Sequence, residues 1–146
     1  ALIRAKRMIG ALHLFNRGAY TLHSGAASLF KIDCDALIDD DLYAVATELF
    51  VLLPGFSRAI GVPRGGVRLA QVLDRYYSVT NANRLLIVDD VLTTGGSMTA
   101  FRDAQCTSGA FAKERALGAV IFTRGDWPRW VTPLFAMAGT RQRDDA

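Results

Sequence analysis

Apolar and polar residues alternate in two different rhythms along this chain, and the switches between them outline its elements. In "LIRAKRMIGALHLF", residues 2–15, Leu2, Ile9 and Leu12 recur at helical spacing, which predicts an opening amphipathic helix. "GAYTLHSGAASLFKID" then places Gly and Ser between short β-prone pieces and predicts a hairpin or loop-strand segment. Helical spacing returns in "DLYAVATELFVLL", with Asp39 or Asp40 able to cap it and Pro54-Gly55 to end it. "RAIGVP", "RLLIVDD" and "ALGAVIFTR" are instead nearly unbroken apolar runs, as expected of strands buried on both faces. A helix through about Arg75 follows the first run, and "SMTAFRDAQCTSG", ending at Gly109, follows the second. Strands alternating with helices in this way predict βαβ units, hence an α/β fold with a parallel sheet covered on both faces.

Composition narrows the class. At 146 residues and 51% apolar, the chain can bury one core, so a single domain over 1–146 is expected. The 17 basic and 14 acidic residues leave a charge of only +3 and are scattered, so no nucleic-acid partner is expected. No apolar run approaches the ~20 residues of a membrane span and no signal-peptide pattern opens the chain; a cytoplasmic protein is the expectation. Cys34 and Cys106 are too few for a disulfide framework or a metal motif, which suits reduced thiols.

Chemistry concentrates in "LLIVDDVLTTGGSM", Leu85 to Met98. Ligands of open parallel sheets collect at the carboxyl ends of strands, where Asp89 and Asp90 fall. Strand alternation sends the two carboxylates to opposite sides, so they do not form a simple dyad. Two acceptors so placed suit paired hydroxyls, as on a ribose, or Mg²⁺ held through water. Thr93, Thr94, Gly95, Gly96 and Ser97 lead directly into a helix. Glycines permit close backbone approach, and the helix N-terminus with three hydroxyls favours an oxyanion. Hydroxyl acceptors followed by a phosphate cradle fit a ribose 5-phosphate.

This stretch resembles the phosphoribosyl-pyrophosphate (PRPP) signature of type I phosphoribosyltransferases. The resemblance implies their fold, a mainly parallel sheet flanked by helices, here with a reduced hood. It gives Asp89 and Asp90 the ribose hydroxyls and the catalytic role, and makes Val91 and Leu92 part of the PRPP site. Thr93, Thr94, Gly95, Gly96 and Ser97 take the 5-phosphate. It also implies Mg²⁺, held mainly by PRPP with no direct protein ligand. In "GVPRGG", Pro63, Arg64, Gly65 and Gly66 match the loop that binds pyrophosphate in this family. "YTLHSGAASLFKID" resembles the early segment of orotate phosphoribosyltransferases, with His23 where Lys is usual and Lys31 where an aromatic residue often sits. At "AVIFTRGDWPRW", Arg124 matches an Arg that contacts the base, and Thr123 stands in place of an Asp. The resemblance thus assigns base binding to Arg124, His23 and Lys31. Trp127 and Trp130 suit base stacking, core packing or a dimer contact. Asp39 to Asp41 suit a helix start rather than a metal site.

One family feature is missing. Catalytic members carry a further strand and a long mobile loop before the signature strand, whereas here only "RYYSVTNANR" stands in that place. Arg75 and Tyr76–Tyr77, or a second subunit, are the candidates to substitute for the loop. Two functions follow from the resemblance. One is a Mg²⁺-dependent transferase moving phosphoribosyl from PRPP to a nucleobase, orotate foremost, as a homodimer. The other is a PRPP- or nucleotide-binding sensor that has lost the catalytic loop.

Overall fold

The computed structural model describes residues 13–22, 24–76, 83–108 and 111–144. The chain divides into two compact units, Ala1–Asp39 and Asp40–Ala146. The expected opening helix falls outside the described residues as far as residue 12. Phe15, its last-but-none position, is a strand residue instead.

In the first unit, β1 (Phe15–Thr21) and β2 (Ala27–Ile32) form the expected hairpin, antiparallel, with Phe15 opposite Ile32 and Thr21 opposite Ala27. The turn closes through Gly25, whose φ of 84° is left-handed and therefore suits a residue without Cβ. Its amide donates to the Leu22 carbonyl, and the Leu22 amide to the Ala26 carbonyl. Phe15 and Phe30 stack across the pair at 5.0 Å. A single turn of 3₁₀ helix, Cys34–Ala36, follows, with the Asp33 carboxylate accepting from the Asp35 amide.

Helix α1 (Asp39–Leu52) opens on the acidic run, where negative charge favours a helix start, and stops before Pro54. Its buried stripe is Leu42, Ala46 and Leu49. The second unit is built on β3 (Arg58–Gly61), β4 (Leu85–Leu92), β5 (Leu117–Thr123) and β6 (Val131–Ala136), paired in that order and all parallel. Helix α2 (Val67–Leu73) follows β3, and α3 (Gly96–Ser108) follows β4. Leu85 to Val88 are all buried, as a central parallel strand requires. Ile60, Leu85, Ile87, Val120 and Val131 meet Met98 and Phe101 of α3 in one core cluster. Ile87→Ala is expected to lower stability by about 3 kcal/mol in a urea titration, because a fully buried side chain leaves a cavity.

Strand β6 has no counterpart in the pattern of the sequence. Pro133 lacks the amide of a ladder and argues against a strand, yet β6 is an edge strand, where proline is tolerated. The chain between β5 and β6 crosses back without a helix, over Gly118. A Cβ there would lie 2.9 Å from the Trp130 ring and 2.7 Å from Val131. Both Trp127 and Trp130 pack against the core, and the Arg102 guanidinium lies 4.4 Å from the centre of the Trp130 ring.

Candidate functional site

The carboxyl edge of this sheet is stepped. Pairing of β3 with β4 ends at Gly61–Val88, while β4 and β5 remain paired to Leu92–Thr123. The predicted strand ending in Asp89-Asp90 therefore runs on through Leu92, and the two acids lie on the part of β4 that β3 no longer accompanies. The GVPRGG loop fills the step. The Val62 amide donates to the Val88 carbonyl at 2.8 Å, and the Gly66 amide turns back to the Val62 carbonyl at 3.0 Å. A Cβ on Gly66 would stand 2.1 Å from the Val88 carbonyl oxygen, and one on Gly65 would stand 2.3 Å from an Asp90 carboxylate oxygen. Close approach of loop to strand is thus what the two glycines are for. Pro63 and Arg64 are exposed at the loop's outer side, and the peptide bond joining them is cis.

The two carboxyl groups do not separate as alternation along a strand would have it. Each folds onto the next residue's backbone: Asp89 accepts from the Asp90 amide at 2.8 Å and Asp90 from the Val91 amide at 2.7 Å. The Asp90 carboxylate is near enough to act on Asp89. Burial, then the Asp90 charge, push the Asp89 pKa up to about 8. At neutral pH the Asp89 carboxyl therefore favours its protonated form.

Beyond Leu92, whose side chain joins the core, the chain turns through Thr93 and Thr94 into α3. Gly95 takes a φ of 85°, again left-handed. The Thr94 hydroxyl accepts from the Gly96 amide, and the Thr99 amide donates to the Gly95 carbonyl. Thr94, Gly96 and Ser97 are exposed at the start of a 13-residue helix. Its first-turn amides and the dipole make this turn a place for an anion. Arg124 arrives from the neighbouring strand end, its amide donating to the Leu92 carbonyl at 2.8 Å. Burial lowers the pKa of its guanidinium from the usual arginine value. Thr123 beside it is fully buried, and its hydroxyl has no partner among the described residues.

No family model matches the chain, and no curated protein matches it. Solved structures do. An orotate phosphoribosyltransferase from Aeropyrum pernix superposes with a TM-score of 0.65 over 93% of this chain and 94% of its own, at 22% identity. One from Mycobacterium tuberculosis, in complex with inorganic phosphate, gives 0.56 over 94% and 98%, at 15% identity. UMP synthase of Leishmania donovani gives 0.68 over 91% of this chain and 35% of its own length, at 18% identity. The fold is that of the orotate phosphoribosyltransferases.

Within this phosphoribosyltransferase fold, the residues expected to act together fall into two groups. Pro63–Gly66, Asp89–Leu92, Thr93–Ser97 and Arg124 all lie at the carboxyl edge of the sheet. Lys31 belongs to β2 of the first unit, where its ammonium stands 4.0 Å from the Asp33 carboxylate. His23 lies outside the described residues. Arg75 and Tyr76, the candidates to stand in for a catalytic loop, are turned to α1. Arg75 donates to the Tyr43 hydroxyl and lies over its ring, and Tyr76 packs on Phe50 of α1. Tyr77 is outside the described residues.

Arg143 is the residue that sequence reasoning missed. Its guanidinium donates to the carbonyl of Thr94 at 3.0 Å and of Asp126 at 3.3 Å. It sits 49 positions from Thr94, in a tail without motif or periodicity, so no local signal pointed to it.

Proposed function

We propose that this protein is a Mg²⁺-dependent phosphoribosyltransferase that moves the 5-phosphoribosyl group of PRPP to a nucleobase, orotate foremost, with release of pyrophosphate. The observation that carries the reading is the packing of the Gly65–Gly66 loop against Asp89 and Asp90, with the Thr93–Ser97 turn leading off the same strand. A pyrophosphate loop, a hydroxyl-binding acid pair and an anion turn are thereby consecutive along one sheet edge. Catalysis in this reading is positional and electrostatic. Asp89 and Asp90 accept the ribose hydroxyls, Thr93–Ser97 hold the 5-phosphate, and Arg64–Gly66 hold the pyrophosphate. Arg124 orients the base with a forked donor.

The acid pair suits Mg²⁺ chemically, since it offers hard oxygen donors and the charge of a cation would favour the ionised form of Asp89, whose pKa is otherwise raised. Among the described residues no three acidic, His or Cys side chains group into a metal cage, so the ion would be held mainly by PRPP oxygens, with Asp89 or Asp90 behind a water. Bound there, it would neutralise charge on the departing pyrophosphate. Partners are therefore PRPP and a nucleobase, and a homodimer is proposed with them. No helix among the described residues is long and apolar enough to cross a membrane; a cytoplasmic setting is proposed.

A sensor that binds PRPP without turning it over is favoured by one observation: Arg75 and Tyr76, the nearest candidates for a substitute lid, are engaged with α1. Pyrophosphate release from PRPP and Mg²⁺, with orotate, uracil and purine bases offered separately, decides between the two. Base-dependent release that an Asp89→Asn/Asp90→Asn variant loses is the expected result. Calorimetric binding of PRPP with no base giving turnover overturns the transferase and leaves the sensor.

A further inference from the structure

The segment around residues 141–143 is clipped to the loop that follows β5. Trp127 donates its amide to the Arg141 carbonyl, and Arg143 donates its amide to the Trp127 carbonyl at 2.7 Å. The Asp126 carboxylate accepts from the Arg141 amide, and the Gln142 side chain donates to the Arg129 carbonyl. Four hydrogen bonds over three residues fix where the Arg143 side chain begins. Its guanidinium then reaches the turn between β4 and α3, donating to Thr94 and to Asp126 through the same nitrogen. The other terminal nitrogen lies 3.7 Å from where a Cβ of Gly95 would stand. The turn is braced from the same side by Gly125, where a Cβ would come 2.5 Å from the Thr93 carbonyl oxygen.

We propose that Arg143 is a positioning residue for the phosphate turn, holding the Thr94–Gly95 backbone in its anion-binding shape and placing a permanent positive charge beside it. The inference rests on the reading of Thr93–Ser97 as a 5-phosphate site and adds a residue to that site. Two consequences distinguish it from plain packing. A guanidinium is always charged, so its field on a dianionic phosphate is independent of pH in the working range and is screened by salt. One guanidinium nitrogen also holds both carbonyls while the planar group keeps the other beside Gly95, and a lysine ammonium on a flexible stem reproduces the charge better than that geometry.

The test is calorimetric titration of PRPP with Mg²⁺ into the whole chain and its Arg143→Gln, Arg143→Lys and Arg141→Gln variants, at low and moderate salt, with melting temperatures alongside. Arg143→Gln is expected to weaken PRPP binding about tenfold at low salt, less at higher salt, as loss of a nearby charge requires. Arg143→Lys should recover part of that loss, and Arg141→Gln, which removes only an exposed side chain, should bind as the parent does. A parent chain that binds PRPP, with Arg143→Gln folded and binding equally well, overturns this inference alone. A loss in Arg143→Gln that neither salt nor lysine moderates reduces Arg143 to packing and overturns it too. Failure of the parent to bind PRPP or inorganic phosphate at all overturns the phosphoribosyl reading, and this inference with it.

Discussion

Asp89→Asn is expected to stabilise the ligand-free protein and to weaken PRPP binding at the same time. The Asp89 pKa lies at about 8 in the folded chain against an ordinary value of 3.8. A carboxyl group whose folded pKa is raised contributes its full share of stability below the unfolded value and loses it as pH climbs to the folded one. Asparagine imitates the protonated acid at every pH. The difference in melting temperature between variant and parent should therefore be small near pH 4, widen steadily towards pH 8, and stay constant beyond. At about 1.4 kcal/mol per pH unit that rise amounts to several kcal/mol, of which on the order of 3 should appear in melting curves because the half-buried side chain keeps some contact with solvent. For a domain of this size that is about 10 °C. A gap that does not change between pH 5 and pH 9 would sink the account of the acid pair. Opposite signs are what the proposed binding role of Asp89 predicts, since its burial beside Asp90 costs stability that a bound ligand would offset.

The second large effect is steric. Gly66→Ala sets a methyl 2.1 Å from the Val88 carbonyl oxygen and 2.9 Å from both the Asp89 Cα and the Val62 nitrogen, all of them backbone. None of these atoms has a rotamer to change, so the loop must lift off β4. A loss of about 3 kcal/mol or more is expected in urea unfolding, from overpacking and from the Val62–Val88 hydrogen bond that holds the loop down. PRPP binding should fall with it, because lifting the loop parts the pyrophosphate side of the site from the acid pair. Gly96→Ala is the stability control. The nearest atom to its added Cβ is the Thr94 hydroxyl at 3.5 Å, an ordinary contact, and alanine favours the helix that starts there. If both variants melt alike, close packing of the loop on β4 is not what Gly66 provides.

Much of the fold was legible because its elements are encoded locally. The runs at Arg58, Leu85 and Leu117 can only be buried strands, and helical stripes such as Leu42, Ala46 and Leu49 need nothing beyond their own spacing. The placement of Asp89-Asp90 and Thr93–Ser97 was legible for the same reason, since a strand, a turn and a helix start in succession define one edge of a sheet. Where local reading failed, the cause was tertiary. Pro133 breaks the strand pattern of β6, and only its place at the sheet edge makes proline harmless there.

Tertiary structure alone decided how the pieces meet. Alternation along a strand sent Asp89 and Asp90 apart, but beyond the early end of β3 each side chain folds onto the main chain of β4, and burial beside the Asp90 charge raises the Asp89 pKa. Arg75 and Tyr76 were free in the sequence to serve a site, and α1 offered them a hydroxyl and an aromatic face first. Arg143 reached the turn at Thr94 through a clip of backbone hydrogen bonds to Trp127, a contact between segments with no shared pattern. Sequence by itself determined which elements the chain forms and on which of them the candidate site residues stand, because propensity and burial act over a few residues. Their mutual distances, and hence their charges, were set by strand lengths and by a tail dozens of residues away, because packing acts through space.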